Sequence, residues 1–557
     1  MSAPATAQIK TFRPDGTLAV SAPLAVERPE SADWNRVCDV LVIGFGAAGA
    51  ATAIRAREAG AEVLIVDRFF GGGASAKSGG VVYAGGGTPH QIAAGYDDTP
   101  EAMAAYLQRE VGDAVSPATV QKFSRDSVGL LAWLERMGAS FNSSAPPPKT
   151  SYPRDGIYLY YSGNEGLDDY AAVAKPAPRG HRMVDKGLSG KALFAVLRRR
   201  VESLSIPTLN QSSVRRLITD GSGTVLGAEV AQLLPGSPAA KKHARLIRWA
   251  ENVHNFAPGL ADKWRAEATA LELAEAKVLR VRAKRGVVLA TGGFIFNRPM
   301  VAEHAPKYLK TMRLGATGCD GSGIRLGVSV GGVAARMDRV SAWRFINPPL
   351  PWAKALAVNA KGERFCNEQS YGAKLGVEMC EHHEGRAWLI LDARLRKQAI
   401  REALFGRLWA FQSIPALILM WRSPKAATVE QLAERMGMPP AALRNTIETY
   451  NAAANGGVDA FHKSASMMQP LTTGPFWALD ISASNKTFPC PAITLGGLKV
   501  DEASGAVLGA GGAAIPGLYA AGRAAVGLAS NYYVSGLSLA DCLWSGQRAA
   551  QSLSIKI

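Results

Sequence analysis

The stretch from Asp39 to Asp67 leaves this chain little freedom of fold. Val40-Leu41-Val42-Ile43 is an unbroken apolar run, as expected of a parallel strand covered on both faces. Gly44-Phe45-Gly46-Ala47-Ala48-Gly49 follows, then an alanine-rich helical stretch to about Ala59, then a second apolar run, Glu62–Val66, closed by Asp67. The order strand, glycine turn, helix, strand predicts a β-α-β unit that binds a nucleotide. Gly44 permits the tight turn, Gly46 lets a pyrophosphate approach bare backbone, and Gly49 lets helix and strand pack closely. The first helical turn offers free N–H groups to the phosphates. Asp67 is placed to accept a hydrogen bond from a ribose.

Further glycine loops extend the pattern. Gly71 to Gly80 is a Gly/Ser loop just after Asp67; Ala290-Thr291-Gly292-Gly293-Phe294 follows a buried strand, Gly286–Ala290. Gly315 to Gly323 leads into another helix, Thr494-Leu495-Gly496-Gly497-Leu498 comes much later, and Ala521-Gly522-Arg523 precedes a terminal helix from about Ser538. Glycine supplies 58 of 557 residues, in short runs without a period, which excludes collagen and fits repeated close approach of backbone to a ligand. A nicotinamide does not need so many dispersed contacts; a long FAD lying extended through the fold does.

These motifs, in this order over about residues 37–557, resemble the flavoprotein superfamily of fumarate reductases, succinate dehydrogenases and 3-ketosteroid dehydrogenases. The resemblance implies an α/β fold, a Rossmann-like FAD-binding domain of the GR2 flavoprotein type with an inserted α+β domain capping the substrate. The expected layout is an irregular arm over 1–36, the FAD-binding domain over 37–330, the cap over 331–484 and the rest of the FAD domain over 485–557. Contacts to FAD are expected from Gly44, Gly46, Ala47, Ala48, Gly49, Asp67 and Arg68, and from Ala74, Ser75, Ser78, Gly79 and Gly80. Others fall on Ala290, Thr291, Gly292, Asp320, Gly321, Gly522, Arg523, Ser538 and Leu539. No histidine lies between Asp67 and Gly80 to carry a covalent flavin, so non-covalent FAD is implied.

Two segments point to the substrate. Lys361 to Glu368 matches a cap turn of the superfamily, and Tyr371 just beyond it resembles the ketosteroid dehydrogenases. Asn531 to Asp541 is the linker that passes the isoalloxazine in the superfamily. It lacks the Tyr-Pro-Gly-Pro-Gly type motif of the 3-oxosteroid 1-dehydrogenases; Tyr533-x-Ser535-Gly536 instead resembles the 3-oxosteroid 4-dehydrogenases. The implied reaction takes a proton from the carbon α to the 3-ketone and a hydride from C5 to flavin N5, a step of steroid catabolism. Tyr533 is the expected base and Tyr371 its proton-relay partner, although those two roles are interchangeable at this stage. Ser535 orients the base or donates to the ketone, with backbone N–H groups near Gly536 and Ser538 assisting. Substrate contacts are thus expected from Tyr533, Ser535 and Gly536.

The rivals are C1–C2 desaturation, and reduction of fumarate or urocanate, which needs a carboxylate clamp. Arg298, Arg313 and Arg344 are arginines not otherwise assigned. A flavin-binding module on a membrane surface, without turnover, is a third reading.

Composition narrows the partners. Sixty-three Lys and Arg against 46 Asp and Glu give +17, but no zinc finger, RNP-type motif or basic–aromatic repeat supports nucleic acid. Six cysteines lie far apart without a CxxC, which fits neither a disulfide framework nor a metal site and points to a reducing compartment. The first 30 residues lack signal-peptide features. Leu408–Trp421 is apolar but too short to span a bilayer and contains Pro415; it is left to line a pocket or lie on a membrane. The chain is expected in the cytoplasm, with a peripheral place on the membrane open through that segment, a steroid as its small-molecule partner and an unidentified electron acceptor.

Overall fold

A computed structural model describes residues 16–27, 29–144 and 151–554. Strand Arg36–Ile43 lies inside a parallel sheet, flanked by Val63–Val66 on one side and Lys277–Leu289 on the other. Val63–Val66 continues to Thr208–Leu209, and Leu289 pairs with Ala520 of the late strand Ala514–Ala520. The helix between the first two strands, Ala47–Glu58, buries mostly alanines, with Gly49, Thr52 and Ile54 among them. Alanine favours helix, and the small size of alanine and glycine lets it sit tightly between the sheet and the last helix, Leu537–Ser554. A Cβ on Gly546 of that last helix would lie 2.4 Å from the Ala48 carbonyl oxygen.

Strand Lys277–Leu289 does two jobs. Its second half belongs to the parallel sheet, while Lys277–Arg282 pairs antiparallel with Val225–Gln232, itself paired with Ser212–Thr219. The part of the 1–36 segment that is described differs from a purely irregular arm. Leu24–Ala25 adds an edge strand beside Ile218–Thr219, because that edge offers unpaired backbone groups. The Ala239–Glu275 stretch forms two helices, Pro238–Val253 and Pro258–Glu275.

Between 331 and 484 a four-stranded antiparallel sheet, in the order Leu356–Val358, Trp388–Leu391, Phe476–Asp480, Lys425–Ala426, carries five helices of eight residues or more. Where this part meets the FAD side, strands from both sides of the junction share one small sheet: Pro491–Thr494 lies between Met312–Arg313 and Val340–Ala342. The apolar Leu408–Trp421 segment follows helix Ala393–Phe405 and forms most of another, Ala410–Arg422. Pro415 does not break the second helix; it deletes only the bond its own nitrogen would have made to the Phe411 carbonyl. Among the described residues no helix is long and apolar enough to cross a membrane.

Candidate active site

Four parallel strands end side by side, at Ile43, Val66, Leu289 and Ala520, and the glycine loops that follow them meet at this carboxyl edge. Ligands of open α/β sheets bind at such an edge. The cleft there is lined by Gly44, Gly46, Ala47, Ala48, Asp67, Arg68, Ala74, Ser75, Ala290, Thr291, Gly292, Asp320 and Arg523, all expected from the sequence. Gly44 has φ +103°, and a Cβ there would sit 2.6 Å from the Ala290 carbonyl oxygen, so the turn requires glycine. Ser75 Oγ accepts from Ala47 N–H at 3.0 Å, tying the Gly/Ser loop to the start of the helix.

The remaining expected residues have local roles in the loops and helices around the cleft. A Cβ on Gly49 would lie 1.9 Å from the Gly44 carbonyl oxygen, so Gly49 serves packing. Ser78 Oγ donates to the Ser75 carbonyl, Gly79 is covered by Tyr152, and Gly80 abuts Ser189. Gly321 and Gly522 are positive-φ turn residues. Ser538 and Leu539 are buried in the first turn of the last helix.

Asp67 lines the cleft and also holds the backbone around it. Its carboxylate accepts the backbone N–H of Phe45 at 2.8 Å, Phe69 at 2.9 Å and Gly71 at 3.0 Å, and so fastens both flanking loops. Arg68 is likewise committed, to Glu272 at 3.0 Å, Asp320 at 2.9 Å and the Gly16 carbonyl at 2.9 Å. Asp320 also accepts from Leu18 N–H at 3.0 Å, and Leu18 lines the cleft. The N-terminal segment therefore forms one wall of the site, which no glycine or charge motif in it announced.

Tyr533, Ser535 and Tyr371 come together, joined by a third tyrosine, Tyr160, that no motif marked. Tyr160 Oη and Ser535 Oγ are 3.0 Å apart. Burial raises the Tyr371 hydroxyl well above its ordinary pKa, Tyr533 and Tyr160 add to the rise, and hydrogen bonding by Ser535 opposes it. Tyr160 is raised too, by burial first. Tyr533 is pushed up to about 12 by burial, held there by the Gly536 backbone N–H and the positive charge of Arg523. Of the three, Tyr533 is the one with the Arg523 charge and the Gly536 backbone N–H set against its burial.

Local folding explains the placement. Gly536, at φ +92°, turns the linker into the last helix, and its carbonyl accepts from Tyr83 N–H. Ser535 N–H donates to Ser162 O at 3.0 Å. Tyr371 caps helix Gly372–His382, and its own N–H donates to Asn164 Oδ1 at 2.7 Å. Trp343 stacks on Tyr533 with ring centroids 5.1 Å apart, and Phe345 meets Tyr371 edge-on at 5.5 Å. The Lys361–Glu368 turn is anchored by a buried ion cluster: Arg364 and Lys463 on Glu368, and Asp459 on Arg364.

These residues fit FAD. Arg523 bridges cleft and tyrosines, and its buried Nη1 has no hydrogen-bond partner among the described residues, while Nη2 meets only the Cys319 sulfur at 3.6 Å. A cation left so is suited to an electron-rich, polar ring system. At Gly46 a Cβ would fill the cradle in front of the helix N-terminus, where a pyrophosphate belongs. The sequence profile of the FAD binding domain family matches residues 39–539. This chain belongs to that family.

The flavoprotein is 45% identical over 532 residues to the 3-oxo-5-alpha-steroid 4-dehydrogenase of Comamonas testosteroni, covering 92% of this chain and 97% of the relative. It is similar to the crystal structure of a 3-ketosteroid-delta4-(5alpha)-dehydrogenase from Rhodococcus jostii in complex with 4-androstene-3,17-dione. The TM-score there is 0.80 and the identity 30%, over 96% of this chain and all of that one. An open flavocytochrome c3 fumarate reductase shares the fold, with TM-score 0.61 at 24% identity over 94% of this chain and 79% of that one.

The three arginines that a carboxylate clamp would call on each have a partner within the flavoprotein, although Arg313 Nη1 and Arg344 Nε and Nη2 are buried without one among the described residues. Arg313 pairs with Asp262 at 2.9 Å, Arg298 donates to the Leu309 carbonyl, and Arg344 donates to the Phe488 carbonyl at 2.8 Å while lying over the Phe488 ring.

Proposed function

We propose that this flavoprotein desaturates ring A of a saturated 3-oxosteroid across C4–C5. The observation that carries the reading is the cluster of three tyrosines and Ser535 beside the inner, Arg523 end of the FAD cleft. The similarity to a 4-dehydrogenase along nearly its whole length supports it. Bound FAD supplies the acceptor for the hydride from C5. Tyr533 takes the C4 proton, because Arg523 and the Gly536 N–H stabilise its oxyanion against the cost of burial. Tyr371 holds the 3-ketone oxygen or passes on the proton through Ser535, and donors there stabilise the developing enolate as an oxyanion hole does. Tyr160 fixes the Ser535 hydroxyl. Trp343 and Phe345 hold the two reacting phenols and keep water out. FAD is held non-covalently, and the electrons leave to an acceptor external to this chain.

The test is anaerobic mixing of the yellow holoenzyme with 5α- and 5β-saturated 3-ketosteroids. Bleaching of the flavin, a product lighter by two hydrogens and a C4–C5 double bond located by NMR are the expected results. A C1–C2 double bond refutes the regiochemistry. Failure to bleach with any steroid, together with reoxidation of the dithionite-reduced enzyme by fumarate or urocanate, refutes the dehydrogenase reading.

A further inference from the structure

We propose that the face formed by helices Ala393–Phe405 and Ala410–Arg422 docks on an anionic lipid bilayer. This goes beyond the reaction proposed above and stands on the surface alone. In helix Ala410–Arg422 the inward positions are Ala416, Leu419 and Met420, all buried. An ordinary surface helix would turn polar residues outward. Here the outward stripe is Phe411, Ile414, Ile418 and Trp421, at spacings of three and four residues, with Phe411 and Ile414 each 55% exposed and Trp421 80% exposed. Phe405, 76% exposed, extends the patch from the end of the preceding helix. Such a continuous apolar stripe in water needs a cover.

Charge selects the cover. Arg394, Lys397, Arg401, Arg407, Arg422 and Lys425 are all exposed around the stripe. The carboxylates from residue 392 to 425 are Asp392, buried and capping its helix through Leu395 N–H, and Glu402, which accepts from Leu350 N–H. Two copies of this chain packed face to face would set these cations against each other. An interface of anionic headgroups over acyl chains complements both features at once, the apolar stripe entering the chains and the basic rim meeting the headgroups. The face is tied to the Gly/Ser loop: Trp409 Nε1 donates to the Pro153 carbonyl at 3.2 Å and Gln412 to the Tyr152 carbonyl at 3.3 Å, and Tyr152 Oη donates to the Gly79 carbonyl at 2.9 Å.

Co-sedimentation of the full-length holoenzyme with vesicles decides it. The wild type is expected to bind phosphatidylglycerol–phosphatidylcholine vesicles at low salt and to be released by high salt. Phe411→Ser with Trp421→Ser should weaken binding at least about tenfold. Arg401→Gln, Arg407→Gln and Arg422→Gln together should weaken it by roughly a hundredfold. Both variants alter exposed residues, so flavin content, melting temperature and steady-state turnover of a detergent-free soluble substrate should match the wild type. The proposal is overturned if the wild type stays in the supernatant with phosphatidylglycerol vesicles. It is equally overturned if F411S/W421S binds them as tightly as the wild type, or if light scattering shows a dimer that this variant splits.

Discussion

Replacing Glu368 with Gln tests the ion cluster that anchors the turn before Tyr371. The Glu368 carboxylate is 1% exposed and accepts from Arg364 Nε at 2.9 Å and Nη2 at 2.8 Å, from Lys463 Nζ at 2.9 Å and from Ala357 N–H at 2.9 Å. Lys463, also buried, directs its other bonds to the Ala355 carbonyl at 2.7 Å and Tyr450 Oη at 3.3 Å. With Asp459 on Arg364, two cations balance two carboxylates. Glu368→Gln leaves an unbalanced positive charge where water does not reach, and breaking a buried pair in this way costs about 3–5 kcal/mol. Lys463→Met leaves the opposite imbalance, and the double variant restores neutrality. The two single losses should therefore exceed the loss in the double variant by at least about 1 kcal/mol.

Acidity gives a second readout of the same variant. Burial pushes the Glu368 pKa up, but Lys463 and Arg364 outweigh it and hold the group below the usual glutamate value. A depressed folded pKa contributes stability that is fully present above the unfolded value, about 4.3, and is lost as pH falls through the folded value. Wild-type stability should thus decline below about pH 4, and E368Q should lack Glu368's share of that decline. Urea unfolding of the holoenzyme at neutral and acid pH measures both effects. A loss under about 1 kcal/mol for E368Q at neutral pH, or strict additivity in the cycle, refutes the account of the cluster as a balanced buried unit.

Tyr533→Phe should lower kcat about 100-fold or more with flavin content unchanged, whereas Ser535→Ala, which leaves the base in place, should cost less; stopped-flow flavin reduction ranks them. Because the Tyr533 hydroxyl is raised to about 12 and acts after losing its proton, kcat/KM should climb about tenfold per pH unit on the alkaline side, and a flat profile speaks against Tyr533 as base. Gly49→Ala places a methyl 1.9 Å from the Gly44 carbonyl oxygen, so it should force the helix off the loop and yield protein with a lowered flavin-to-protein absorbance ratio.

What could be read from the chain was whatever depends on local backbone. The turn at Gly44, the close packing at Gly49 and the buried runs at Val40–Ile43 and Gly286–Ala290 impose themselves through sterics over a few residues, and they stand where the sequence placed them. The approach of Tyr371 to Ser535 was legible only through family resemblance, since 164 residues of chain separate two elements that meet by tertiary packing. Tyr160, Trp343 and Phe345 carried no motif at all; they are ordinary aromatic residues in sequence and acquire their role from the elements that bring them to the site. Asp67 shows the converse: its position was legible, but its bonds to Phe45, Phe69 and Gly71 depend on how two loops curl back on it. Leu18 joined the cleft because Asp320 holds its backbone, a long-range bond that leaves no local trace.

The strand Ala514–Ala520 pairs with Val287–Leu289 in the parallel sheet, and the cleft runs in sequence from Leu18 to Cys542. On a ribosome this has a consequence for timing. Until residue 520 has emerged, Val287–Leu289 lacks a neighbour on that flank, an open edge prone to pairing with other chains. The early half of the domain is made before Arg523 and the helix beginning at Leu537, so the cofactor meets an incomplete cleft until they follow. The complete cleft is therefore assembled only after the chain has been made past residue 542. Expression yield should respond to chaperone supply during synthesis and to FAD supply only after it.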